Sequence, residues 1–302
     1  MIRTDKTVTS IYKLINYSHM SLIKNNLNKL IKEKWDEKKI FYSFELISGH
    51  ENIHRFVTDL REYSPLFYAL TCHKKFNLNN LNDSLSEMDD NFLLHVTARG
   101  KFKNDVRKIL DKALELGITS VFALRGDEIT DGDFPYAVNL VKFIKENYKN
   151  KFSVAVAGYP DRHSESVSKE TEFFYLKEKI NAGADFIITQ IVFDSESFIN
   201  FVEDCKNYGI NVPIIAGVLP ISNYPSLIKL MSTCKCTLPQ SVRKALEKIK
   251  DDDSVVQQYG VELIIKIVID IISSGSCGFH FFTFNQSSSV IKILNKLTVL
   301  KK

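Results

Sequence analysis

The sequence predicts a (β/α)8 barrel carrying an N-terminal helical extension. Three observations point there. Eight short apolar or β-branched runs recur from residue 40 onward. The first four begin near residues 40, 66, 92 and 119, a regular βα spacing that implies a parallel sheet. Helical patterns fill the intervals, and eight such units close into a barrel of ordinary size in a chain of 302 residues.

The elements are laid out in order. Residues 1–38 read as one or two amphipathic helices, with Ile11, Leu14 and Ile15, then Leu27, Leu30 and Ile31, at helical spacing. Residues 39–302 form the barrel. Its strand candidates are Ile40–Leu46, Leu66–Cys72, Phe92–Thr97, Thr119–Leu124, Phe152–Ala157, Phe186–Phe193, Val212–Val218 and Phe279–Phe284. Most are continuously apolar, as strands covered on both faces should be. Helical candidates are Asn104–Leu116, ended by Gly117, then Tyr136–Tyr148, Lys169–Ala182, Ser197–Tyr208, Tyr224–Ser232 and Val256–Ser273. The seventh unit is longer, with an extra helix near Pro239–Lys250. A doubly wound sheet is the alternative fold, but the first strand–turn lacks a GxGxxG.

Composition excludes several classes. The longest apolar stretch, Val261–Ile272, is interrupted by Glu262, Lys266 and Asp270, so no membrane span is expected. The net charge of +4 is concentrated in residues 1–40, where nine basic side chains face four acidic ones. That segment is +5 and the rest −1, and no basic stripe with interleaved aromatics continues into the body, so nucleic-acid binding is not expected. The five cysteines, Cys72, Cys205, Cys234, Cys236 and Cys277, are scattered without a CxxC pair. Neither a zinc site nor a disulfide framework is therefore indicated, and reduced thiols fit a cytoplasmic protein. The first 20 residues also lack the apolar core of a secretory signal.

A barrel builds its site from the loops after its strands. The ends of the expected strands carry Glu45, Thr71, His95 with Thr97, Arg125-Gly126-Asp127, Gly158 through His163, Thr189-Gln190, Gly217 with Pro220, and His280, Thr283 and Asn285-Gln286. Each residue alone has an ordinary structural explanation: Glu45 as a satisfied buried carboxylate, His95 as a hydrogen-bonded core histidine, Arg125 and Asp127 as a simple ion pair. Their convergence on one rim is the stronger signal. Metal-ligand spacing is absent, as are a G-x-S-x-G elbow and glycine-rich phosphate loops after the last two strands.

At Ala123-Leu124-Arg125-Gly126-Asp127 the chain resembles the methylenetetrahydrofolate reductase family. Ser43-Phe44-Glu45, His95-Val96-Thr97, Ala157-Gly158-Tyr159-Pro160 with His163, Leu176-Lys177-Glu178-Lys179, the run Ala182 to Gln190, Pro220-Ile221 and His280-Phe281-Phe282-Thr283-Phe284-Asn285 extend the likeness over about residues 40–290. It is closer to eukaryotic members than to bacterial ones, and their C-terminal regulatory domain is not expected here.

The resemblance implies an FAD-dependent oxidoreductase of one-carbon metabolism that reduces 5,10-methylenetetrahydrofolate to 5-methyltetrahydrofolate. NADPH or NADH gives hydride to the flavin and leaves, and the folate then takes its place. Thr71, His95, Arg125, Gly126, Asp127, Tyr136, Ala137, Tyr159, His163, Glu172 and Lys179 would line the flavin site. Glu45 would be the general acid that opens the folate ring, Asp127 would stabilise the resulting cation, and Gln190, Phe282 and Gln286 would complete the folate site. Partners would be the folate and a nicotinamide nucleotide, with a homo-oligomer left open and no metal.

Departures from the family pattern are Leu46-Ile47-Ser48-Gly49-His50 after strand one, Cys72-His73-Lys74-Lys75 after strand two, Phe282 in place of tyrosine and Gln286 in place of arginine. Gln286 cannot offer a charged fork to a glutamate tail or a nucleotide phosphate. Two other readings stand beside this one. One is a diverged flavin- or folate-binding member that acts as a partner or regulator. The other is a barrel flavoenzyme with a different substrate, which the Glu45, Asp127 and Gln190 set disfavours. Residues 1–38 either cap the barrel's bottom or mediate assembly.

Overall fold

The computed structural model describes residues 26–49, 53–71, 90–127, 130–234 and 236–299. Ile11, Leu14 and Ile15, His50 and the Cys72-His73-Lys74-Lys75 loop lie outside them. Eight parallel strands pair in sequence order and close on themselves, β8 returning to β1, as a (β/α)8 or TIM barrel.

The elements run α1 (Leu27–Asp36), β1 (Phe41–Ile47), α2 (Ile53–Arg61), β2 (Phe67–Thr71), β3 (Phe92–Thr97), α3 (Lys103–Glu115), β4 (Ser120–Leu124), α4 (Ala137–Tyr148) and β5 (Ser153–Gly158). Then come α5 (Lys169–Asn181), β6 (Phe186–Ile191), α6 (Ser195–Asn207), β7 (Ile214–Val218), α7 (Tyr224–Cys234), α8 (Gln240–Glu247), α9 (Asp253–Ser273), β8 (Gly278–Phe281) and α10 (Ser287–Val299). The eighth strand ends earlier than its apolar run suggests. Phe284 and Asn285 take φ of +49° and +56°, a left-handed turn that no ladder can continue.

Strand side chains alternate between two cores. Phe44, Leu46, Tyr68, Leu70, Leu94, Val96, Val121, Val154, Val156, Ile187 and Val218 face outward and pack under the helices. Phe41, Phe67, Ala69, Leu93, Phe122, Ala155, Phe186, Ile188 and Ile215 fill the barrel's interior. Leu27 and Ile31 of α1 are fully buried in that same inner cluster. They meet residues from the starts of the strands, so α1 closes the N-terminal end of the barrel.

Polar contacts hold α1 there. Asn28 Nδ2 donates to Asp185 Oδ1 at 3.0 Å, and the Asn28 backbone N–H donates to Ser153 Oγ at 3.1 Å. Ser153 Oγ in turn donates to Asn26 Oδ1 at 2.8 Å. The other Asp185 oxygen accepts from Lys145 Nζ at 2.8 Å and from the Val154 N–H at 2.7 Å. Asp185 therefore belongs to the closed end of the barrel, and the chemistry is left to the other end.

A third cluster lies at the C-terminal ends of β6 and β7. Ile191, Phe193, Leu219 and Ile221 pack there against Leu227 and Met231 of α7, Leu238, Val242 and Leu246 of α8, and Val256. This small core seats the long seventh unit over one side of the barrel mouth.

Candidate active site

The alternation that buries Phe41 inside the barrel also turns Ser43 and Glu45 inward, and likewise Thr71, His95, Gln190 and His280. Near the strand starts these inward positions are apolar. Near the strand ends they become polar, and the site begins there.

Glu45 is buried, with 8% of its surface exposed. Its Oε2 accepts the backbone N–H groups of Thr283 at 3.1 Å and Phe284 at 3.2 Å. Thr283 Oγ1 donates to the Glu45 carbonyl at 2.8 Å. The turn that aims those amides is clamped by Asn285, whose Oδ1 accepts from the Ile47 N–H and whose Nδ2 donates to the Ile47 carbonyl, each at 2.8 Å. Below Glu45, His280 contacts Ser43 Oγ through Nδ1 at 3.0 Å and stacks on Phe67.

On the neighbouring strands, Thr71 Oγ1 lies 3.2 Å from His95 Nδ1, and the His95 ring stands edge-on to Phe122. Burial lowers His95 to about 4, so it is neutral near pH 7. Its Nε2 is buried without a hydrogen-bond partner among the described residues. A buried ring nitrogen left this way suits a ligand group as its partner. Gly126 has φ +82°, and a Cβ there would come within 3.1 Å of Thr97 Cβ, so both conformation and space favour glycine in the β4 turn.

A cleft of about 500 Å³ opens beside this rim. Arg99, Arg125, Asp127, Tyr159, His163 and Gln190 line it, with the 160–165 loop, Ile191, Thr233, Cys234 and Cys236. Arg125 is ion-paired with Glu165 at 2.6 Å, not with Asp127. Tyr159 stands edge-on to His163, and its hydroxyl is pushed up to about 12 by burial first and the Glu172 carboxylate second. Gln190 Oε1 accepts from the Ile191 N–H at 3.0 Å, which fixes the amide at the cleft wall.

The expected residues fall into three groups. Arg125, Asp127, Tyr159, His163 and Gln190 share the cleft. Glu45, Thr71 and His95 stand at the ends of β1, β2 and β3, while Lys179 and Glu172 lie on α5 beside β5. Lys179 Nζ donates to the Ala157 carbonyl at 2.7 Å, and burial lowers it to about 8 against the pull of Glu172. Glu172 Oε2 accepts from the His163 N–H at 3.3 Å.

The last group is peripheral. Tyr136 is exposed and precedes α4, whose first residue is Ala137. Gln286 is exposed, its Oε1 accepting from Ser222 Oγ at 3.1 Å. Phe282 leans edge-on to His280, and a Cβ on Gly217 would sit 2.8 Å from its ring. The sequence pattern did not single out Arg99, Glu165, Thr233, Cys234 or Cys236. Arg99, two residues beyond β3, was within reach of the strand-end rule. Thr233 and Cys234 end α7, and Glu165 and Cys236 lie in loops, none of which the rule indexes.

The family model described as methylenetetrahydrofolate reductase matches residues 30–298. The chain belongs to the methylenetetrahydrofolate reductase family. It is 34% identical over 304 residues to a probable methylenetetrahydrofolate reductase (NADPH) of Caenorhabditis elegans, covering 94% of this chain and 45% of that protein. It is 35% identical over 294 residues to methylenetetrahydrofolate reductase 2 of Schizosaccharomyces pombe, covering 87% and 46%. A bacterial relative, the 5,10-methylenetetrahydrofolate reductase of Pectobacterium carotovorum, is 33% identical over 207 residues, covering 68% and 69%. The chain thus spans about half the length of its eukaryotic relatives.

Among solved structures, an uncharacterised protein from Clostridium thermocellum that binds two copies of 5-methyl-5,6,7,8-tetrahydrofolic acid superposes with a TM-score of 0.65 at 13% identity, covering 89% of this chain and 99% of that one. That likeness is one of fold. Among the described residues no helix is long and apolar enough to cross a membrane, and no group of three or more His, Cys, Asp or Glu side chains is arranged to hold a metal ion.

Proposed function

We propose that this chain reduces 5,10-methylenetetrahydrofolate to 5-methyltetrahydrofolate, with FAD bound at the strand ends and NADH or NADPH as hydride source. The observation that carries the reading is the meeting of Asp127 and Gln190 with Arg99, Arg125 and Tyr159 in one cleft at the strand ends, in a chain of this family that also buries Glu45 at the end of β1. FAD, when bound, supplies a hydride carrier that serves the nicotinamide and the folate in turn.

The residues present fit that cofactor. Arg99 and Arg125 offer charged donors to a diphosphate, with Arg125 first releasing Glu165. Neutral His95 offers its unpartnered Nε2, and Lys179 adds a positive charge below about pH 8. Gln190 presents an amide with donor and acceptor to the folate's pterin ring. Asp127 holds negative charge where the opening folate ring becomes cationic. Glu45 delivers the proton that opens the ring. Two backbone N–H groups donate to its Oε2, which fixes the orientation of the carboxyl. Burial of this carboxyl keeps bulk water from taking that role.

The test is an anaerobic absorbance titration of the purified chain. A yellow protein is expected to bleach with NADPH or NADH and to regain colour with methylenetetrahydrofolate. Glu45→Gln should keep the flavin and its bleaching but lose the folate-driven return of colour. A chain that stays colourless after added FAD would overturn the reading and leave a non-catalytic family member, which the uncharged Gln286 tied to Ser222 favours.

A further inference from the structure

The cleft has a wall that the proposed reaction does not use. Cys234, the last residue of α7, and Cys236 both line the cavity that Asp127, Gln190 and Arg125 line from other strands. Both are half-buried, and Cys236 packs against the small core under α7 and α8. Cys236 Sγ donates to the Cys234 carbonyl oxygen at 3.6 Å, which holds its thiol beside Cys234. The geometry points to Cys234 and Cys236 as a dithiol modification site that low-molecular-weight disulfides oxidise to an intramolecular disulfide, narrowing the wall of the cleft. It rests on the reading of this cleft as the place where folate is received.

Three physical arguments support it. First, reach: two backbone steps span at most roughly 7 Å. A disulfide needs Cα atoms roughly 4.4–6.8 Å apart. The pair can therefore close by local adjustment. Second, selectivity: a reactive thiol is one that ionises and can be reached. Cys205 and Cys277 are buried, and burial pushes them up to about 12 and about 11. Cys234 instead lies below its ordinary value, because the hydrogen bond from Cys236 stabilises its thiolate against burial and the Asp127 and Glu45 carboxylates. Cys236 is correspondingly raised. Third, consequence: the carboxylates that act on Cys234 are those assigned to the chemistry, so a covalent change at this pair occurs within the field of the site.

The step balances as two exchanges. The Cys234 thiolate attacks one sulfur of the small disulfide, whose S–S bond breaks and releases one thiolate. Cys236 then attacks the Cys234 sulfur and expels the second. The protein thiols lose two electrons and two protons, and the small disulfide is reduced to two thiols.

Lys235 makes the test direct, because trypsin cuts between the two cysteines and separates peptides 230–235 and 236–243. The full chain is incubated with glutathione disulfide, alkylated and digested. Joined peptides that separate on dithiothreitol treatment are expected, from a protein that runs as a monomer on a non-reducing gel. Cys236→Ser, which removes the resolving thiol, should instead retain glutathione on Cys234. Methylenetetrahydrofolate turnover should fall at least tenfold on oxidation and return with dithiothreitol. Complete alkylation of both cysteines would overturn the site, and joined peptides with unchanged turnover would overturn its effect on the cleft. If the reduced chain has no folate reductase activity at all, the proposed function fails while the peptide readout still decides the dithiol.

Discussion

Replacing Asn285 tests how the fold aims the buried carboxyl of Glu45, the proposed proton donor. Its side chain makes two 2.8 Å bonds to the backbone of Ile47, tying the turn after β8 to the end of β1. The same turn points the Thr283 and Phe284 N–H groups at Glu45. Asn285→Ala removes both bonds, at about 0.5–1.5 kcal/mol each. It also places alanine at φ +56°, a conformation that costs an ordinary L-residue roughly 1–2 kcal/mol and asparagine less. The sum is about 2–4 kcal/mol, which urea unfolding monitored by circular dichroism resolves. Asn285→Gly separates the terms, since glycine accepts the backbone angle and loses only the hydrogen bonds, for about 1–3 kcal/mol. In turnover, the alanine variant should lose kcat with little change in KM, because Glu45 is misaimed while the cleft wall stays intact. An alanine variant within about 0.5 kcal/mol of the parent and with unaltered kcat would refute the clamp.

Other perturbations test the remaining parts. Leu27→Ala or Ile31→Ala opens a cavity in the barrel's closed end and should cost about 2–5 kcal/mol; an unfolding curve superposing on the parent's would show that α1 is not part of the core. Arg125→Met should weaken FAD binding by about tenfold or more, and Glu165→Gln, which frees Arg125, should tighten it, both read by flavin fluorescence. His95 is depressed from 6.5 to about 4, so below pH 6.5 the unfolded chain takes up a proton that the folded chain refuses. Stability is then lost as pH falls from 6.5 towards 4, by about 3 kcal/mol, and His95→Gln should flatten part of that decline in unfolding curves taken at each pH. Equal slopes for variant and parent would assign the acid sensitivity elsewhere.

The barrel was legible because buried parallel strands leave a signature of short apolar runs at even spacing, and each expected run contains most of an observed strand. The errors have local causes. Val212 and Pro213 precede β7 and do not belong to it, since proline has no N–H to give the ladder. Phe282 and Phe284 look like strand residues, yet the chain turns there through positive φ, which hydrophobicity does not encode. The sequence pattern does not mark helix α10, although Val290, Ile293, Leu294 and Leu297 are buried at helical spacing, because three serines open it. Helix α2 is only 9 residues long, with β-branched Ile53, Val57 and Thr58 that periodicity does not separate from a strand. Of the site, Asp127, Gln190, Arg125, Tyr159 and His163 could be found from the residues at and just past the strand ends. Cys234, Cys236 and Glu165 could not, because they lie at a helix end and in loops well beyond the strand ends, whose places depend on how those segments fold back.

The two ends of the barrel are consequences of one pattern. Inward-facing side chains are apolar where α1 enters and polar where the strands finish, so a single strand such as β1 supplies Phe41 to the core and Glu45 to the candidate site. Among the described residues, Ser48 and Gln286 are departures from the family pattern held away from that inward column. Ser48 is held by its N–H and hydroxyl to the Thr71 carbonyl, both at 3.0 Å, and Gln286 is held by Ser222 at the exposed rim. Main-chain and surface contacts of this kind leave the Glu45 carboxyl and the Asp127–Gln190 wall untouched. On the proposed function, Ser48 and Gln286 therefore bear on how ligands are received rather than on the proton donor.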